Sequence, residues 1–415
     1  MFFKSLLIAA ACAVGMQASA QGLVPLLPQP DGLAWPTQSW PEGEVPAGVE
    51  EELSLLVRDA MATSVTEPMG QTRAIVIIHE GRLIFETYAE GFGPDIKQVS
   101  WSMAKSITSA LVGRAVELGL IEDIDYAMPT PFPEGDPRGE ITWRQWLTMT
   151  DGLDYLEIGS TGLTDNDVVQ MMYGPGRFDV AQHIVDEFEL AHDPGAVWNY
   201  STAGFHLIGW ALQRIAGIEG SCSTQGSAAS QEQATSPDTR CASTNAAMVE
   251  WMKDVFFGPI GMDAQPEFDA AGTYLGGSLV WASARDFAKF GYLYLRDGVW
   301  EGERLLPRGW VGFSRRDPVS TKANVYGAGW WLGADPAPVP ADQAATTPPF
   351  DAFSAQGHEG QTIWIVPSKD LVIVRLGLMP NGGDNWQRLY EWNQSIARLF
   401  GDVSDRSLSA LGKEG

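Results

Sequence analysis

Two stretches near opposite ends of the chain constrain its fold more than any other feature. "RAIVIIHEGRLIFETYAEG" (73–91) and "QTIWIVPSKDLVIVRLGLM" (361–379) each hold two β-branched, apolar runs split by a short polar break. Such runs read as hairpins, and hairpins build antiparallel sheet. Between them, from about 125 to 270, the text changes to short amphipathic segments such as "TWRQWLTM", "GFHLIGWALQRIAG" and "AMVEWMKDVFF", separated by Gly, Pro and Asp. Strand signals return at "GTYLGGSLVW", followed by a helix start at Ser283 to Asp286 that fits a capping box. The expected fold class is therefore α+β. One mostly antiparallel sheet is built from both chain ends, helices such as "VEEELSLLVRDAMATS" and "WQRLYEWNQSIARLF" flank it, and a helical lobe is inserted. In residue terms, 21–124 and 271–402 form a discontinuous sheet domain, 125–270 the lobe and 403–415 a flexible tail. The Ala/Pro-rich segment "ADPAPVPADQAATTPP" reads as a surface loop. With 415 residues, 45% of them hydrophobic, the chain can bury a large core.

The first twenty residues, "MFFKSLLIAAACAVGMQASA", combine an early lysine, a short apolar run and a small-residue end at Ala18-Ser19-Ala20. This is the pattern of a secretory leader cut before Gln21, and its apolar run is too short to span a membrane. A lipoprotein signal ending at Cys12 would leave an unusually short leader. Periplasmic or secreted localisation is the expectation, with no stable membrane insertion. Losing Lys4 with the leader leaves 26 basic against 52 acidic residues, a net charge of −26. Such a surface repels nucleic acid and anionic membranes. Of three cysteines, Cys12 departs with the leader, while Cys222 and Cys241 bracket a polar segment without apolar pattern. In an oxidising compartment a disulfide closing this loop is the economical reading, worth roughly 3 kcal/mol in the chain-entropy model. A two-cysteine metal site is the poorer alternative, as no His lies nearby.

The stretch "VSWSMAKSITSALVGRAVELGLIED" carries candidate chemistry. Ser102 and Lys105 fall one turn apart at the mouth of a helix expected to run to about Leu120. A helix N-terminus offers unpaired N–H groups and partial positive charge to an oxyanion. Apolar neighbours Ile107 and Leu111 would bury the motif, and burial lowers a lysine pKa by up to about 3–5 units, enough to make it a base. A solvated lysine on a helix flank is the competing reading. Two later signals tip the balance. Tyr200, in "PGAVWNYSTAGFHLIGW", precedes a helix and is placed to pass a proton on. "AQGHEGQTIWIV" puts His358 and Gly360 at the mouth of a strong strand, where glycine lets a substrate approach free N–H groups.

Taken in chain order, these signals resemble the serine β-lactamase and penicillin-binding-protein group, in particular the branch of class C β-lactamases, carboxylesterases and 6-aminohexanoate-dimer hydrolase. The family pattern of S-x-x-K, then Y-x-N or Y-S-x, then K-T-G or H-x-G reads here as Ser102 to Lys105, Tyr200-Ser201-Thr202 and His358 to Gly360. "LTMTDGL", "FGPIGM", "ASARDFAKFGYLYL" and "YGAGWW" extend the resemblance over nearly all of the mature chain. It implies an acyl-enzyme on Ser102, activated by Lys105, with Tyr200 relaying the proton. The backbone N–H groups of Ser102 and Gln361 would form the oxyanion hole. No cofactor or metal is implied.

Two departures bear on substrate. His358 replaces the K-T-G lysine that in the family helps hold a substrate carboxylate, and Thr202 stands where asparagine is usual. Both point away from β-lactams and cell-wall peptides, towards a small-molecule ester or a small or linear amide. Thr202, His358, Gly360 and the aromatics Trp101, Trp198, Tyr274, Trp330 and Trp331 are the candidates to contact it. A β-lactamase, a D-alanyl carboxypeptidase, and a penicillin-binding sensor or inactive binding module remain as alternatives. No G-x-S-x-G elbow, H-E-x-x-H, Walker loop or Rossmann fingerprint is present, and His79 and His206 read as packed strand and helix residues.

Overall fold

The computed structural model describes residues 23–62, 64–67, 69–160, 162–218, 239–317, 325–333, 351–380, 382 and 384–403. The expected leader, the side chains of Cys222 and Cys241, the loop beyond residue 333 and the tail from 404 lie outside the described residues.

The two apolar hairpins form the centre of a six-stranded sheet. Its strands are β1 (Gln71–His79), β2 (Arg82–Tyr88), β3 (Trp331–Leu332), β4 (Phe353–Gly357), β5 (Gln361–Val366) and β6 (Leu371–Leu378), in the order β2-β1-β6-β5-β4-β3. Every adjacent pair is antiparallel, and β1 from one end of the sequence lies directly against β6 from the other. The β1–β2 turn uses Glu80 at φ 51° and Gly81 at φ 76°, the two left-handed residues that a tight hairpin turn needs.

Alternation divides each central strand between two cores. Ile75, Ile77, Trp364, Val366, Leu371 and Ile373 face one layer, made by α1 (Glu50–Met61) and the terminal helix α5 (Asn385–Arg398). Ala74, Val76, Ile78, Ile363, Ile365, Val372 and Val374 face the other, which holds α2 (Ala104–Glu117) and α4 (Ala284–Leu295). The start of α4 is capped by Ser283, whose Oγ accepts from the Asp286 N–H. The helix α3 (Thr202–Ile215) packs against α2.

The helix α2 is not amphipathic: residues 104 to 115 are all buried, so the helix runs through the middle of the molecule. Its hydroxyls make this tolerable by donating to loop carbonyls, Ser106 to Gly329 (2.6 Å), Thr108 to Gly276 (2.8 Å) and Ser109 to Ala328 (2.9 Å). Any ionisable group near its start therefore sits in a dry environment.

Candidate active site

Ser102 lies in a single 3₁₀ turn, Trp101–Met103, that leads into α2. Trp101 holds φ 45°, and Ser100 clamps the turn to the 278–280 segment, its Oγ accepting from the Val280 N–H (3.0 Å). This left-handed entry kinks the chain so that Ser102 remains partly exposed while Met103 to Ala115 are buried.

Lys105 points back along the helix to Ser102, with Nζ 3.0 Å from its Oγ. The ammonium is 1% exposed and also donates to Thr202 Oγ1 (2.7 Å) and the Gly277 carbonyl (2.7 Å). Burial pulls its pKa down to about 8, against an opposing pull from the Glu157 carboxylate. Tyr200 completes the group: its ring centroid is 5.0 Å from Lys105 Nζ. Burial pushes the phenol well above its ordinary pKa, as does Glu157, while a hydrogen bond with Ser102 pulls the other way. A partly exposed serine beside a buried lysine and a buried tyrosine therefore combines a hydroxyl, an amine easily deprotonated and a phenol that rests protonated.

Two further residues support this cluster: Glu157, absent from the sequence patterns, and His206, which they mark only as a packed helix residue. Glu157 accepts from both the Thr202 N–H and the Thr202 hydroxyl, each at 3.1 Å, and from the Tyr155 hydroxyl at 3.0 Å. His206 Nδ1 accepts from the Gly277 N–H at 3.3 Å, orienting the peptide whose carbonyl receives Lys105. Burial, with the Lys105 charge, pulls the His206 pKa down to about 3, so the ring is neutral.

The wall beside Ser102 differs from the expectation. A Cβ on Gly357, at the end of β4, would overlap the Ser100 carbonyl and lie 3.2 Å from Ser102 N, so only glycine permits this approach. Gln361 sits one strand inward on β5, paired with Gly357, and its carboxamide bridges the Gly377 carbonyl (2.7 Å) and N–H (3.0 Å). Gly360 faces away from Ser102, towards Arg375, Leu389 and Met379. His358 is exposed, its ring centroid 5.4 Å from that of Trp101 in an edge-on arrangement, and Trp101 Nε1 donates to Glu359 (3.2 Å).

The aromatic candidates separate in the same way. Trp331 stacks on Tyr200 at 5.4 Å, and Trp198 and Tyr326 close the group edge-on. Trp330 instead packs in the core with Phe290, Tyr294 and Phe353. Tyr274 is likewise fully buried, 3.1 Å from the Thr108 hydroxyl. Neither reaches the cleft. Thr202 is also fully buried, its hydroxyl committed to Lys105 and Glu157 rather than free for a substrate.

A family model described as Beta-lactamase matches residues 61–377. Over 379 residues the chain is 24% identical to the 6-aminohexanoate-dimer hydrolase of Paenarthrobacter ureafaciens, covering 85% of this chain and 84% of that one. A Bacillus anthracis structure provisionally assigned as a 6-aminohexanoate-dimer hydrolase superposes with a TM-score of 0.63 at 20% identity, covering 90% of each chain. A class C beta-lactamase from Rhodobacter sphaeroides superposes at 0.52 and 15% identity, over 83% of this chain and 97% of its own. At these identities the structural likenesses establish the fold.

Proposed function

The chain belongs to the beta-lactamase family, a family of amide and ester hydrolases, and on that premise we propose that it is an exported serine hydrolase working through an acyl-enzyme on Ser102. The observation that carries this reading is the dry amine of Lys105 in contact with the Ser102 hydroxyl. Ser102 Oγ attacks the substrate carbonyl carbon as its proton passes to Lys105 Nζ, and the carbonyl oxygen takes up the negative charge. The Ser102 N–H receives that oxyanion. For the second donor, the close approach of β4 favours the N–H of His358, which follows Gly357, over that of Gln361. Tyr200, protonated at rest, hands its proton to the leaving group and takes one back from the Lys105 ammonium. Water then attacks the acyl carbon by the reverse route and frees Ser102.

The substrate reading is an ester or a small or linear amide. The strand end beside Ser102 carries Gly357 and His358 in place of a lysine, and the Glu359 carboxylate stands next to Trp101 there. A substrate carboxylate would meet a negative group instead of a cation. The 24% identity to a 6-aminohexanoate-dimer hydrolase favours linear amides among the amides.

The test is turnover of p-nitrophenyl butyrate, the 6-aminohexanoate dimer and nitrocefin by wild type and Ser102→Ala. Ester or amide turnover abolished by Ser102→Ala is expected, with nitrocefin slow. Ester cleavage surviving that substitution refutes the mechanism, and a nitrocefin acylation burst without turnover would instead favour a penicillin-binding sensor.

A further inference from the structure

We infer that Glu157 and Thr202 act as positioning residues that turn the free electron pair of Lys105 onto the Ser102 hydroxyl. The inference rests on the serine-hydrolase reading above. It follows from counting protons among hydrogen-bonded groups at known positions.

Lys105 Nζ has partners in Gly277 O (2.7 Å), Thr202 Oγ1 (2.7 Å) and Ser102 Oγ (3.0 Å). As an ammonium it donates to all of them. As a neutral amine it keeps two N–H bonds and one lone pair, and the question is which partner faces the lone pair. A carbonyl oxygen accepts only, so Gly277 must receive one N–H. A hydroxyl can accept or donate, and left to itself Thr202 could offer its proton to the lysine. Glu157 removes that freedom. Its carboxylate accepts only, and Thr202 Oγ1 donates to it at 3.1 Å, while the Thr202 N–H ties the other carboxylate oxygen at 3.1 Å. With its proton so committed, the Thr202 hydroxyl must accept the second N–H of Lys105. The lone pair is left facing Ser102, the one partner with a proton to give. When transfer occurs, the Ser102 O–H bond breaks, a third N–H bond forms, and the positive charge returns to Lys105.

Glu157 has a second, electrostatic effect on the same amine. Among the described residues, the titratable groups facing Lys105 are Glu157 across Thr202, Tyr200 on its ring face and His206 across Gly277. Of these only Glu157 raises the lysine's pKa, opposing the effect of burial.

The experiment measures kcat, KM and the pH dependence of kcat/KM with p-nitrophenyl butyrate for Glu157→Gln, Thr202→Val and Thr202→Ser, beside wild type and Ser102→Ala. Thr202→Val keeps shape and backbone N–H but removes the accepting hydroxyl. A fall in kcat of about tenfold or more is expected, with KM little changed, and Thr202→Ser restores the rate. Glu157→Gln lowers kcat and moves the rising limb of the pH profile to lower pH, because the carboxylate that held the lysine's proton is gone. A merely structural role would not move that limb. Wild-type kcat in Thr202→Val, or loss not repaired by Thr202→Ser, overturns the inference, as does an unmoved limb in a folded Glu157→Gln. Should Glu157→Gln fail to fold, the threonine pair decides alone. The two readings fail separately: cleavage surviving Ser102→Ala sinks the serine mechanism, whereas a dead Ser102→Ala beside a normal Thr202→Val sinks only the positioning role.

Discussion

The sharpest consequence of the buried lysine is a pH profile. Lys105 is brought from 10.5 to about 8 by its burial, a difference equivalent to about 3 kcal/mol between its charged and neutral forms. At pH 7 a lysine titrating at 10.5 is neutral in roughly one molecule in three thousand, and one titrating at 8 in about one in ten. The fold therefore raises the fraction of competent base some three-hundredfold at neutral pH, before any change in the chemical step. Because the neutral amine is the reactive form, kcat/KM should rise about tenfold per pH unit below 8 and level off above it. Tyr200 is held protonated by its own burial and contributes no falling limb across this range. A pH-stat assay of butyrate ester cleavage from pH 5.5 to 9.5 reads this directly, free of the chromophore's own titration. Lys105→Met, similar in length and uncharged, should lower kcat/KM by about 10³-fold or more and remove the limb. A flat profile, or a limb near 6.5 that survives Lys105→Met, would refute the reasoning, since it would place the base on a histidine.

Gly357→Ala should cut ester turnover by about a hundredfold, the order seen on losing one oxyanion donor, because the added methyl overlaps the Ser100 carbonyl and pushes β4 off the Ser102 N–H. Near-wild-type kinetics in a folded Gly357→Ala would remove β4 from the site. Arg375, fully buried on β6 with its pKa pulled down to about 9 by desolvation, donates to the carbonyls of Glu359 (3.2 Å), Gly360 (2.9 Å), Met69 and Gln71 and to the Thr72 hydroxyl. Arg375→Met should lose about 3 kcal/mol in urea denaturation, several stranded carbonyls outweighing the relief of a buried charge. Unchanged stability would show that the arginine does not pin the turn beyond Gly357.

How far the sequence discloses this site depends on the range over which each interaction is encoded. The hairpins and the Ser102–Lys105 pair were legible because a strand repeats every two residues and a helix turn brings i and i+3 together, so the pattern and the geometry share a short window. Glu157 was not. Its bonds to Thr202 cross 45 residues from an irregular loop, and no local periodicity announces a carboxylate that acts through a distant threonine. The glycine pattern failed for a different reason. His358, Glu359 and Gly360 match a family spelling, yet Glu359 at φ 62° and Gly360 at φ 78° form the turn itself, and the strand end that meets Ser102 is Gly357, three residues earlier. Matching letters fixed the motif's neighbourhood but not which face of the turn touches the serine. Trp330 and Trp331 make the same point at a single peptide bond. Neighbouring residues at a strand point to opposite sides, so proximity to a motif could recommend only one of them to the cleft. The structure sends Trp331 onto Tyr200 and Trp330 into the core against Phe290 and Tyr294. Applied to the "GWW" triplet, that alternation rule makes the two tryptophans mutually exclusive as cleft residues, and the register that chooses between them comes from the pairing of Trp331 with Ser354, a contact made 23 residues away.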